Sequence, residues 1–144
     1  MAVSRAMRRL LQVLEIQEED CRVALESARA ELKRLEEALR RSVERERGGR
    51  RLVAASAATG EIADRIAGLE ETRTARRAAA ALAPRIAEAE QAVNARRREF
   101  LDKRIERRQT ETLIEEAKAL ENVESGRRAQ RDLDDWFLSQ RGNS

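Results

Sequence analysis

The chain has 144 residues, of which 40% are charged and 2% aromatic, the aromatics being Phe100, Trp136 and Phe137. So few large side chains cannot fill a conventional globular core, whereas 91 residues are Ala, Glu, Leu, Lys or Arg, well above the roughly 50% that marks long helices and coiled coils. With no His and one Cys, a His-ligated metal site, a His general base and an internal disulfide are all excluded.

Thirty basic residues against 27 acidic ones leave a net charge of +3. Residues 1–72 balance at 14 and 14, so the excess lies in residues 73–144, with 16 and 13. Two stretches carry Arg and no acid: Met1 to Leu14, with Arg5, Arg8 and Arg9, and Arg73 to Ala87, with Arg73, Arg76, Arg77 and Arg85. No apolar run approaches the roughly 18 residues of a membrane span. The expectation is a cytosolic, soluble chain forming one structural unit over residues 1–144, without a cofactor.

In chain order, the first element is a helix over 3–47. Met7, Leu11, Leu14, Cys21, Leu25, Ala28, Leu32, Leu35 and Leu39 step by four and three, skipping only Glu18, which is a heptad stripe best buried by another helix. Acid-first pairs such as Glu18 with Arg22 and Glu36 with Arg40 support it from outside. Gly48 and Gly49, each disfavouring a helix interior by about 1 kcal/mol, predict a kink or break. A less regular helix follows over 50–70, its stripe running through Leu52, Ala55, Thr59, Ile62, Ile66 and Leu69.

The only proline, Pro84, suits a first helical turn and disfavours a helical Ala83, so an apex is expected over 70–84 and a last helix over 85–139. That helix takes its apolar positions from Ile86, Ala89, Val93, Phe100, Ile105, Leu113, Ala117, Leu120, Leu133 and Phe137. Two long amphipathic helices hide their stripes most simply by folding back. The predicted fold is therefore all-α, a long antiparallel two-helix coiled-coil hairpin with a kinked or broken middle. The chain midpoint near residue 72 would bring Arg5 to Leu11 beside Trp136 and Phe137, on a rod with both termini at one end.

Cys21 lies on the stripe as a small buried hydrophobe, with no His to activate it. Adjacent carboxylates such as Glu18/Glu19, Glu115/Glu116 and Asp134/Asp135 point about 100° apart on a helix and do not converge. No phosphate-binding glycine motif occurs, and the Arg clusters lack the interleaved aromatics of base stacking, so nucleic acid is a minor alternative. Trp136 and Phe137 admit two readings: a plug packed on Leu10 and Leu11, or an anchor in a partner's pocket. Charge without compensating acid at both ends suggests that each end meets an acidic surface.

The run from Glu106 to Glu116 (ERRQTETLIEE), with Gly126 to Leu138 (GRRAQRDLDDWFL), resembles the tail of the type III secretion and flagellar export ATPase central-stalk family, the FliJ, YscO and HrpO proteins. Chain length and the Arg/Glu/Ala-rich heptad opening match as well. The Gly48-Gly49 break and the Ala-rich approach to Pro84 do not. The resemblance implies a non-enzymatic stalk, a monomeric rod on the cytoplasmic side of a membrane-embedded secretion apparatus. Its terminal end would enter the hexameric export ATPase through Arg5, Arg8, Arg9, Arg127, Arg128, Arg131, Trp136 and Phe137. Its apex would touch the cytoplasmic ring of the export gate through Leu69, Arg73, Arg76 and Arg77, and secretion chaperones are further candidate partners. The alternatives are a self-associating coiled-coil scaffold, in which the first heptad stripe pairs with a second copy, and a small helical secretion chaperone.

Overall fold

A computed structural model describes residues 3–142. It contains two helices, α1 (Arg5–Thr59) and α2 (Ile62–Gly142), packed against each other as an antiparallel hairpin, with no strand among the described residues. Ser4 caps α1: its Oγ accepts a hydrogen bond from the Met7 N–H at 3.1 Å, satisfying one of the donors that a helix start leaves unpaired.

The reversal occupies only Gly60 and Glu61, not residues 70–84. Gly60 adopts φ of 72°, a left-handed conformation that costs a residue with a Cβ about 1–2 kcal/mol, and its N–H donates to the Ser56 carbonyl at 2.8 Å. The expected apex is helical throughout. Placing the turn at the chain midpoint presumed arms of equal length, whereas α1 has 55 residues and α2 has 81. Pro84 lies inside α2 rather than at its start. It is exposed, as is Ala80, whose carbonyl loses its helical donor and keeps access to water.

Gly48 and Gly49 do not break α1, which runs as one helix where two were expected. The heptad stripe continues through them. From Met7 to Ser56, every residue reached by alternating steps of four and three is buried or half-buried, including Glu18, Ser42, Glu46 and Gly49. The facing stripe on α2 runs from Gly68 to Glu121 at the same spacing, and only Arg96 on it is exposed. Ile62, Ile66, Leu69, Ile105, Leu113, Leu120, Leu133 and Phe137, expected on the buried stripes, lie outside them and are exposed.

The described chain forms two compact units. The unit Cys21–Glu99 has its core at Leu35, Leu82 and Ala89, with Leu32, Ala38, Leu39 and Ile86 packed around them. Toward the turn the buried seam residues become small: Ser42, Gly49, Ser56, Gly68 and Ala75. There the two backbones nearly touch. A Cβ built on Gly49 would stand 2.8 Å from the Gly68 carbonyl oxygen and 2.9 Å from the Thr72 nitrogen, and one on Gly68 would stand 2.7 Å from the Gly49 carbonyl oxygen. These two glycines allow a contact between helices that a single-helix propensity argument does not register.

The other unit joins the start of α1, as far as Asp20, to α2 from Phe100 onward. Leu14, Thr110 and Ile114 are buried in it.

Candidate functional site

A charged pair sits in the seam of the unit that contains the start of α1. Glu18 occupies a seam position on α1 and Arg107 one on α2, and the two form an ion pair with side chains 16% and 21% exposed. Arg107 also donates to Glu111 at 2.7 Å. Its guanidinium pKa is raised, first by the hydrogen bond to Glu18 and then by that to Glu111. An ion pair at a core position of a coiled coil discriminates against slipped registers, because any slip strands a charge among apolar side chains.

From this pair the helices run in opposite directions, so Arg5 at the start of α1 lies level with about Leu120. Beyond that level α2 has no companion. Glu121 is half-buried, and every described residue from Asn122 to Gly142 is exposed. This projection is about 30 Å of single helix at 1.5 Å per residue. It carries Arg127, Arg128 and Arg131, which with Glu124 line a depression of about 330 Å³. Further along, the Trp136 and Phe137 rings meet edge to face, with centroids 5.1 Å apart and planes at 75°. Trp136 is 56% exposed and Phe137 59%.

The eight residues expected at one terminal end thus fall in two separate places. Arg5, Arg8 and Arg9 lie exposed in the first turns of α1, and Arg127, Arg128 and Arg131 lie in the projection with Trp136 and Phe137. The structure does not bring Arg5 to Leu11 alongside Trp136 and Phe137, which stand some sixteen residues, about 24 Å, beyond the level of Arg5. The plug on Leu10 and Leu11 is therefore absent. Both aromatics instead face water.

Leu69, expected at the end of a helix, and Arg73, Arg76 and Arg77, expected in the apex, all lie on successive turns of α2. Leu69 is 52% exposed. Arg76 is tied to α1 by a 2.9 Å bond to Glu46, a carboxylate that Arg50 also holds at 2.8 Å. The neighbouring Arg45–Glu71 pair spans the helices at 2.7 Å. Hydrogen bonding to Arg76 lowers the Glu46 pKa, and hydrogen bonding to Arg45 lowers that of Glu71. The residues nearest the turn were not singled out by sequence: Ile62 and Ile66, 73% and 58% exposed, share a face with Leu69. Their spacing of four and three is visible in the sequence, yet the same spacing led to their assignment to the buried stripe.

No group of His, Cys, Asp and Glu able to hold a metal occurs among the described residues, and none of their helices is long and apolar enough to cross a membrane. An antiparallel helical hairpin with exposed charged and aromatic turns belongs to the class of coiled-coil interaction proteins. The family model described as the flagellar FliJ protein matches residues 4–143, and the chain belongs to that family. It is accordingly a structural, export-related component of the flagellar type. Comparison with curated proteins and with solved structures gave no match.

Proposed function

We propose that this chain is the non-enzymatic central stalk of a flagellar protein-export apparatus, entering the hexameric export ATPase with its terminal end. The observation that carries the reading is the uncompanioned end of α2, where Arg127, Arg128 and Arg131 precede an exposed Trp136–Phe137 pair. Trp and Arg dominate the energetics of protein interfaces, and here neither ring is committed to the chain's own core. Arg5, Arg8 and Arg9 at the start of α1 add positive charge to the same end.

The mechanism follows from symmetry. A hairpin with two unlike helices cannot present the same surface to six equivalent subunits, so it binds their open and closed states unequally. Differential affinity shifts those populations and favours assembly and ordered hydrolysis, while the reaction itself stays in the ATPase. The turn end is assigned to the export gate. Leu69, Arg73, Arg76 and Arg77 remain the proposed contacts, now as one α2 flank near the turn, with Ile62 and Ile66 extending its apolar part.

Titrating the purified chain into the export ATPase tests this: turnover and the hexameric fraction should both rise. Trp136→Ala with Phe137→Ala should abolish the effect, while Arg73→Glu with Arg77→Glu should spare it and lose the gate protein in a pull-down. Unchanged turnover and assembly at concentrations where binding is demonstrated would refute the stalk role.

A further inference from the structure

Alongside its buried seam, α2 carries a second heptad stripe. Starting at Asp102 and stepping by four and three, it passes through Glu106, Gln109, Leu113, Glu116, Leu120, Val123, Arg127, Gln130, Asp134 and Phe137 to Arg141. Every one of these residues is exposed. Exposed apolar side chains at a coiled-coil spacing mark an unfilled interface rather than a solvated face. The charges on the stripe are unevenly distributed as well: Asp102, Glu106 and Glu116 precede Leu120, whereas Arg127, Asp134 and Arg141 follow Val123.

Where α1 ceases to accompany α2 is also where this stripe changes sign. The covered part of α2 ends at about Glu121 and the projecting part begins at Asn122. A two-fold axis across that boundary would set a second α2 antiparallel to the first. The projection of each copy would then lie along the hairpin of the other, and the stripe would face itself. Residues equally distant from the axis become opposite: Leu120 meets Val123, Glu116 meets Arg127, and Asp102 meets Arg141. Phe137 then covers the aliphatic stem of Glu106. The one acid in the basic half, Asp134, meets the neutral Gln109. Asp132 and Glu111, which the same symmetry would also set level, lie on another face of the helix.

We infer that the occupant of this stripe is a second copy of the chain, in an isologous antiparallel dimer centred between Glu121 and Asn122. Complementarity of a surface with itself under a two-fold operation is what such an interface requires. The apolar layers are few, so the dimer is weak and concentration-dependent, and its charge pairs make it salt-sensitive. This pairing does not depend on the stalk function. If that function holds, a further consequence rests on it: the dimer covers Arg127 and Phe137, so it is a resting form that must separate before the terminal end engages the ATPase.

Sedimentation equilibrium of the full chain should give a monomer–dimer equilibrium with no larger species. Leu120→Glu with Val123→Glu should leave a monomer with unchanged helicity, melting as the unaltered chain does at concentrations where that chain is monomeric, since both positions are exposed in the single hairpin. Arg127→Glu and Glu116→Arg should each weaken the dimer roughly tenfold, acting twice by symmetry, and together restore it. A monomer at all concentrations, persistence of the dimer in Leu120→Glu/Val123→Glu, or a double charge reversal no tighter than either single change would overturn the assignment. None of these readouts involves the ATPase, so failure here is separable from failure of the stalk function.

Discussion

Two adjacent glycines in α1 have opposite roles. A Cβ on Gly48 meets nothing within 4 Å, whereas one on Gly49 collides with Gly68 and Thr72 of the facing helix. Gly48→Ala should therefore stabilise the hairpin by about 1 kcal/mol through helix propensity alone. Gly49→Ala gains the same propensity but forces apart two backbones in contact, and a net loss of about 1–3 kcal/mol is expected. Thermal unfolding followed by helical circular dichroism distinguishes the pair by the sign of the shift in midpoint. Propensity is a property of one chain segment; here a neighbour 19 positions further along the sequence decides whether it counts. For the same reason Trp136 and Phe137 were recognisable as unusual residues in an Arg-rich helix, while their exposure depended on where α1 starts relative to them.

At the level of the helix, the buried stripes explain how α2 tolerates Pro84. A proline inside a helix costs about 3 kcal/mol, from one missing hydrogen bond and a clash with the preceding turn. Leu82, Ile86 and Ala89 on either side of it pack with Leu35, so tertiary burial holds the helix through the defect. Pro84→Ala should raise the unfolding free energy by about 1–3 kcal/mol without changing helix content, as measured by denaturant unfolding.

The seam ion pair gives a different signature. Glu18→Leu alone should destabilise, because Arg107 loses its partner across the helices and keeps only Glu111, whereas Glu18→Leu with Arg107→Leu should recover most of that loss. A double-mutant cycle in urea supplies the comparison, and spin labels across the helices would report whether the apolar version still holds a single register. The carboxylates of Glu46 and Glu71 add a pH dependence of known sign. Both pKa values are lowered in the folded state, so the unfolded chain takes up these protons first. Their contribution is complete above the ordinary carboxylate value of about 4.3 and disappears as pH falls through the folded values. Replacing Glu46 by Gln should flatten the acid limb of the melting-temperature profile.

For the molecule as a whole, the buried seam and the exposed Trp136–Phe137 pair lie in different parts of α2. No described residue beyond Glu121 is buried, so a chain stopped after Glu121 should unfold at nearly the same temperature as the full one. On the stalk reading the same truncation should abolish stimulation of the export ATPase. A large loss of thermal stability on truncation, at concentrations where the chain is monomeric, would show that the projection packs on its own hairpin, contrary to its exposure.

What could be read from sequence was what depends on local spacing. The Met7 to Leu39 stripe specifies a long helix needing a partner helix, and the all-α hairpin follows because the chain contains a second such stripe. The resemblance at Glu106 to Leu138 pointed to the family that matches residues 4–143. The place of the reversal and the lengths of the arms were not legible, since Gly48-Gly49, Gly60 and Pro84 are alike as interruptions of a single helix. Contact between helices separates them: Gly49 sits against Gly68, Pro84 is carried through by its neighbours' burial, and only Gly60 is left to turn the chain. Helical periodicity is set by residues three and four apart, whereas register is the sum of contacts between residues tens of positions apart. Tertiary structure alone therefore decided that α2 outruns α1 and leaves Arg127 to Phe137 uncovered.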